Sequence, residues 1–391
     1  MKLFYKIEFI IEIELEDYKR ENRKKDMSKF DGEINDMRLS TEFKGTTFSK
    51  YKKSDVRSEL IKCIIDGKIE PACNWSSEFI CAGQFLDLWD IILTMVGKHI
   101  HLANPKLPIY IEMRYDVFKQ IMSGGYAGSE LTLRNNQKIR NLFAEIVCVL
   151  CLSNKKHSFQ TVDIRKDEYE IATLSTKLKA PNVEYVNEIF QKDDPKELFI
   201  ALNEFAFHIS NNSKNNLLAC YWLEWILEFN TVCKNKKEPC KCSRRASMPV
   251  EDKHQLDPVW ILWEIILKHV NDPMCTLPKK PVVVKVINSL LHLYCIRFTP
   301  GSKRKRRYLL YFAISLITES YSTDKEIIAA QNKDVIEIVT QKINSVYKQI
   351  KKNEIAPATD YLMHNVKRSD LEKTIEKIEK LNNLQFISKK S

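Results

Sequence analysis

Glycine is scarce in this sequence, with nine among 391 residues, beside 13 prolines. Tight hairpins and phosphate-binding loops need glycine, because it adopts positive φ without steric cost. An all-β sandwich is therefore not expected. The motifs G-x-x-x-x-G-K-[ST], G-x-G-x-x-G, H-E-x-x-H and G-x-S-x-G are also missing. We therefore expect a protein that is not an enzyme and uses no cofactor.

Long apolar runs are missing as well, since none reaches the roughly 18 residues that a membrane-spanning helix needs. We therefore expect no membrane partner. The eleven cysteines are an odd number, and many lie inside apolar helical stretches, as Cys63, Cys148 and Cys220 do. This pattern is typical of thiols that pack as small hydrophobic side chains in a reducing compartment, and it argues against a disulfide framework.

The apolar residues that are present, 44% of the chain, recur mainly at helical spacing. After Ser54, a predicted N-cap, the residues Val56, Leu60 and Ile64 form one such stripe. Short connections force consecutive helices to lie antiparallel. We therefore predict a mainly all-α fold of antiparallel helix pairs, in a bundle or short solenoid, with few or no strands. A short strand is predicted at residues 158–164, whereas 281–296 could be strand or helix, and periodicity favours helix.

Changes in composition divide the chain into five parts. Residues 1–26 differ in composition from the rest of the chain and could lie upstream of a start at Met27. The predicted parts are a flexible or docking N-terminal arm (1–53), a first helical domain (54–158), a polar connecting segment with a helix (159–215), a second helical domain (216–352), and a C-terminal amphipathic helix or tail (353–391). In the last part, Ser369 and Glu372 fit a capping box.

Tryptophan marks the predicted core. Residues 221–229 and 259–267 each carry two tryptophans three positions apart, and their offset of 38 residues is close to helical-repeat periods of about 34 to 47. Paired helices with facing tryptophans are therefore expected. Glu224, Glu228 and Glu264 lie along these helices and are expected to face solvent. The predicted core tryptophans are Trp75, Trp89, Trp222, Trp225, Trp260 and Trp263.

The net charge of +11 is concentrated most densely at residues 303–307, which we call the basic run. These cations come after Pro300, Gly301 and Ser302, so they lie at a predicted helix start, where positive charge opposes the helix dipole. They could bind DNA, RNA or an acidic partner, act as a nuclear import sequence, or form a solvated helix start. The candidate binding residues are Lys303, Arg304, Lys305, Arg306 and Arg307.

One set of residues could bind a metal. Cys233, Cys240, Cys242 and His254 offer four zinc ligands, although the spacing C-x6-C-x-C-x11-H departs from the usual finger patterns. The preferred interpretation is that they are free thiols in a basic loop. His99 and His101 are close in sequence, but a helix end places them on different faces.

Residues 66–108, DGKIEPACNWSSEFICAG followed later by GKHIHLANP, resemble the helical collar of AAA+ clamp loaders and of related proteins that rescue stalled replication forks. The resemblance implies an oligomerising helical scaffold and makes residues 54–158 collar-like. The ATPase half is missing, so it implies no ATP hydrolysis. The matching positions are Ala72, Trp75, Ala82, Gly83, Leu102, Ala103, Asn104 and Pro105.

A second resemblance is broader. LRNNQKIRNLFAEIVCVLCLSNKKHSF and RFTPGSKRKRRYLLYFAISLITE are similar to segments of an uncharacterised helical protein family of nucleo-cytoplasmic large DNA viruses. It implies a non-enzymatic scaffold in a viral replication or gene-expression complex, located in the host cytoplasm or virus factory, with the nucleus or virion as alternatives. The implied partners are other viral proteins or further copies of the chain, with DNA or RNA as an additional candidate. The alternatives are a structural or assembly protein of the particle, minor capsid or internal, and a scaffold for translation factors.

Overall fold

The computed structural model of the chain describes residues 32–126, 130–236 and 240–355. Within these ranges the regular structure is helical and no strand is formed; one isolated bridge joins Thr46 to Lys52. The predicted all-α fold is therefore confirmed.

The helices follow one another through short connections. Met95–Ile100 is a π-helix that continues α3, and single 3-10 turns lie between several of the α-helices. In chain order the α-helices are α1 (Lys53–Ile65), α2 (Ile69–Cys81), α3 (Phe85–Thr94), α4 (Leu107–Ser123), α5 (Gln137–Leu152), α6 (Ile171–Lys177), α7 (Phe199–Ile209), α8 (Asn216–Asn235), α9 (Val259–Asn271), α10 (Lys280–Cys295), α11 (Ser302–Thr318) and α12 (Lys333–Lys351).

Two local predictions have opposite outcomes. Residues 281–296 form α10, which Pro281 opens from its first turn, as the apolar periodicity indicated. Residues 158–164 are irregular, so the predicted strand is wrong. The backbone N–H groups of Lys156 and Ser158 bond to carbonyl groups of the π-helix, and the described residues include no strand that could pair with this segment.

Helix α11 lies at the centre of the molecule. Its residues 309–317 are all buried, as expected for a helix that is apolar on every side. It packs against α3, the π-helix, α7, α8, α9 and α10. In addition, α4 packs on α10, and α12 packs on α2 and α5. Helices of the two predicted domains thus contribute to one continuous hydrophobic core.

Residues 32–52, which belong to the predicted arm, pack onto this core. Ile34, Phe43 and Phe48 are buried. The N–H of Asn35 donates to Glu354, and Asp36 accepts the N–H of Ile355. The segment is therefore held beside the end of α12. Residues 1–31 and 356–391, including the predicted capping box at Ser369 and Glu372, lie outside the described residues.

The tryptophans contribute to several parts of the core. All except Trp75 are buried, and Trp75 packs edge-on against Tyr51. The rings of Trp260 and Trp263 lie against Tyr294 of α10. On α8, Trp225 packs against Tyr169 and Phe229. The two tryptophan pairs thus pack on different neighbours.

Candidate functional site

The basic run forms the first turn of α11. Ser302 closes the preceding loop, because its hydroxyl donates to the carbonyl of Thr299 and accepts the Thr299 N–H. Cations at this end of a helix are unfavourable unless carboxylates neutralise them. The environment of each cation therefore decides what it can do.

Two cations of the run are buried and bind carboxylates of other helices. Lys303 donates to both oxygens of Asp257, at 2.9 and 2.7 Å, just before α9. Arg306 donates to Asp90 of α3 at 3.0 Å, and also to the carbonyls of Tyr294 and Ile296. These side chains link the start of α11 to its neighbours and are not available to an external partner.

Arg307 is half-buried and pairs with Glu224 of α8 at 2.8 Å. The hydroxyl of Tyr311 also donates to Glu224. Burial raises the pKa of Glu224, while Arg307 acts against this rise. Glu224 is only 5% exposed, so the expectation that it faces solvent is wrong. It turns toward α11 because Arg307 and Tyr311 satisfy its charge there.

The two remaining cations lie on the exposed side of the helix. Arg304 is exposed but donates to Glu228 and to the hydroxyl of Thr231. Lys305 is exposed as well, and within the described part of the chain its ammonium forms neither an ion pair nor a side-chain hydrogen bond. Lys305 is thus the member of the basic run that is free to bind an external anion.

A groove of about 480 Å³ lies beside this exposed side, and we call it the α11 groove. Tyr308, one of its lining residues, is three positions after Lys305, which places the two on adjacent turns of one helix face. The ammonium of Lys98 lies 5.2 Å from the centre of the Tyr308 ring. The groove is lined by Lys98, His157, Phe159, Gln160, Thr161 and Tyr308.

The shape of the groove depends on the π-helix that continues α3. Its Gly97 lies so close to α11 that a Cβ there would be 2.9 Å from the carbonyl carbon of Tyr308. The carbonyl of Lys98 accepts the N–H of Ser158 at 2.8 Å, and that of His99 accepts the N–H of Lys156 at 2.9 Å. Residues 156–158 are thereby fixed to the π-helix.

The segment after α5 supplies one side of the groove, with His157 and residues 159–161 in its lining. Ser158 is buried, whereas His157 is exposed and Phe159 half-buried. Phe159 lies edge-on to Tyr311, with ring centres 5.4 Å apart. Ser158 therefore faces the core, whereas His157 and residues 159–161 contribute to the groove lining.

The two histidines of the H-x-H pair have separate environments. His99 lies edge-on to His157 at 5.3 Å, and burial, followed by the charge of Lys98, lowers its pKa to about 4. His101 is buried, has a φ of 48° and stacks on Phe312 at 4.7 Å. The two rings thus pack against different neighbours, His157 and Phe312.

The four candidate zinc ligands do not form a metal site in the described structure. Cys233 and Cys240 are in contact, and burial, with a smaller effect of Cys233, raises the pKa of Cys240 to about 12. Cys242 is buried, and the ring of His254 packs on Phe298. Among the described residues, no group of three or more His, Cys, Asp or Glu side chains is arranged to hold a metal ion. All eleven cysteines are free.

Sequence reasoning missed the groove residues Lys98, Phe159 and Tyr308. Gly97 gave one indication, because a glycine inside a helical pattern often marks a close backbone approach. No sequence signal placed Phe159 in the groove, since its position depends on hydrogen bonds made by the backbone of residues 156–158.

The fold and the groove define an all-α protein with a cationic, partly aromatic surface site. Across the described ranges, no helix is both long and apolar enough to cross a membrane. No protein family matches the chain, and comparisons with curated proteins and with solved structures find no match either.

Proposed function

We propose that this chain is a non-enzymatic helical scaffold that binds an anionic partner, nucleic acid, at the exposed side of the basic run. Its place in a replication or gene-expression complex of a large DNA virus rests on the resemblances of residues 66–108 and of the two longer segments. The observation that supports binding is the state of Lys305, which is exposed and free of ion pairs in the described structure, beside a groove that contains Lys98.

Lys305 differs from the other four cations of the basic run, and this difference supports its role in binding. Lys303, Arg304, Arg306 and Arg307 each bind a carboxylate within the chain. Lys305 stands at the same helix start, where an uncompensated cation costs roughly 0.3–1 kcal/mol. A bound phosphate would offset that cost, and the four paired cations hold the helix start in place for it.

The proposal is tested by substituting the free cation alone. Replacing all five residues would remove the partners of buried carboxylates and unfold the site. Lys305→Met should weaken binding to DNA and RNA and should lower the slope of log K against log salt concentration by about 0.7 to 0.9. Lys285→Met is the matched control, because Lys285 is also an exposed helical lysine without an ion pair among the described residues. Absence of binding at low salt would contradict the proposal.

A role in particle assembly is the second candidate, and one observation favours it. Residues 35–36 and 354–355 bond directly to one another, so the parts of the two predicted arms that the structure describes lie side by side. Two such arms could contact a neighbouring subunit together. Mass spectrometry of purified virions would support this role if the chain occurs in stoichiometric amounts, and its absence from virions would exclude it.

A further inference from the structure

The α11 groove combines groups of three kinds. Phe159 and Tyr308 supply aromatic rings, and His157 supplies an exposed imidazole. Gln160 and Thr161 carry amide and hydroxyl groups that form no hydrogen bond within the described residues. Lys98 belongs to the groove lining, and Lys305 lies one helical turn before Tyr308 on α11. Aromatic rings, free hydrogen-bonding groups and cations are the three kinds of group that proteins use to bind unpaired nucleotides.

The size of the groove agrees with a small planar ligand. Its volume of about 480 Å³ lies within the usual range of roughly 300–1,000 Å³ for small-molecule sites. A purine or pyrimidine can enter such a space only when it is not paired in a duplex. Duplex DNA instead needs an array of exposed cations that follows its phosphates, and the pairing of Lys303, Arg306 and Arg307 leaves no such array in the basic run.

The groove is also held in shape before any ligand binds. Its two sides are α11 and residues 156–161, and both are fixed to the π-helix, the first by the close approach at Gly97 and the second by two backbone hydrogen bonds. Phe159 and Tyr308 both lie edge-on to the buried Tyr311. A site whose rings are already positioned loses little conformational entropy on binding.

From this arrangement we infer that the α11 groove takes an unpaired base of single-stranded DNA or RNA. The base stacks on the aromatic side chains and bonds through its edge to Gln160 or Thr161, while Lys98 and Lys305 bind the adjoining phosphates. The inference rests on the proposed function and adds the class of nucleic acid to it.

The test measures fluorescence anisotropy of labelled oligo-dT and oligo-rU of about 15 nucleotides, and of a duplex of equal length, with the full-length protein. The single strands should bind more tightly than the duplex, a comparison that requires no variant. Phe159→Leu, which keeps an apolar contact with Tyr311, should weaken single-strand binding by about fivefold or more. Phe190→Leu is the matched control, since Phe190 is another half-buried ring that lies edge-on to its neighbour, Phe199, and it should leave binding unchanged.

Exposed side chains provide a second set of variants whose folding is not at risk. Gln160→Ala and His157→Ala should weaken single-strand binding without changing the circular dichroism spectrum. Equal binding of duplex and single strand, with Phe159→Leu unchanged and Lys305→Met weakened, would overturn the base site and leave the proposed function standing. Binding of heparin but of neither nucleic acid would overturn both the base site and the nucleic-acid partner of the proposed function, in favour of another polyanion. Failure of every polyanion to bind at low salt would remove both proposals.

Discussion

Replacing Lys303 with methionine should destabilise the protein strongly, whereas the same change at Lys305 should not. Lys303 contacts both oxygens of Asp257 at 2.9 and 2.7 Å, and the two side chains are only 7% and 11% exposed. Removing one partner of a buried pair costs about 3–5 kcal/mol, because the other charge is left without compensation. Asp257 keeps its bond to the N–H of Val259, so we expect a loss near the lower end, about 3 kcal/mol.

The comparison is matched because methionine and lysine have similar length and helix propensity. Urea unfolding followed by tryptophan fluorescence measures the free energy of unfolding, and Lys305→Met should not lower it but raise it by about 0.3–1 kcal/mol, since the variant removes an uncompensated cation from the helix start. Adding Asp257→Asn to Lys303→Met should recover stability, since the buried charge is then gone. Equal losses for the two methionine variants, or a small loss for Lys303→Met, would refute the division of the basic run into buried and exposed cations.

Three further outcomes are expected. Gly97→Ala should lower the free energy of unfolding by about 1–3 kcal/mol, because the added methyl group meets the α11 backbone at 2.9 Å. Gly301→Ala is the control and should change the free energy of unfolding little, because the nearest atom to its methyl group is 4.0 Å away. Thermal melting of the two variants distinguishes these outcomes. Burial lowers the pKa of His101 to about 4 from 6.5, so its neutral form stabilises the fold above pH 6.5 and this contribution is lost as the pH falls toward 4. In His101→Asn, where asparagine tolerates the positive φ, the free energy of unfolding should fall less steeply with decreasing pH, as measured by unfolding curves at a series of pH values. An unchanged fall would contradict the role of His101 in this pH dependence. Cys233 and Cys240 are half-buried and the other cysteines are buried. A thiol reagent should therefore label at most these two cysteines quickly in the native protein, and all eleven after unfolding. Rapid labelling of more than two cysteines in the native protein would show that the buried thiols are accessible.

The all-α fold could be predicted because its determinants are local. The shortage of glycine excluded hairpins, and apolar periodicity identified helices such as α10. The residues 309–317 of α11 are apolar apart from Ser315, a composition that agrees with the observed burial of that helix. By contrast, the cap at Ser54 was wrong, since α1 begins at Lys53 and the Ser54 hydroxyl bonds to Asp55.

The site could be predicted only in part, because the partners of its charges are distant in sequence. Positions 303, 306 and 307 share one helix face by their spacing, so the sequence could have separated them from Lys305. It could not reveal that Asp257 and Asp90 lie opposite that face, 46 and 216 residues away from their partners. The burial of Glu224 was missed for the same reason. The α11 groove depends on a π-helix and on a contact between Gly97 and Tyr308; the glycine indicates a close approach, but no local pattern identifies Tyr308 as the residue that it meets.

Binding at Lys305 is tested most directly by the affinity of a labelled single-stranded oligonucleotide between about 50 and 200 mM salt, measured for the wild type, Lys305→Met and Lys285→Met. We predict that Lys305→Met alone binds more weakly and that its salt dependence is less steep by about 0.7, with the fold of both variants unchanged. Identical binding curves for the three proteins, or an equal loss in both variants, would contradict the assignment of Lys305 as the free cation of the site.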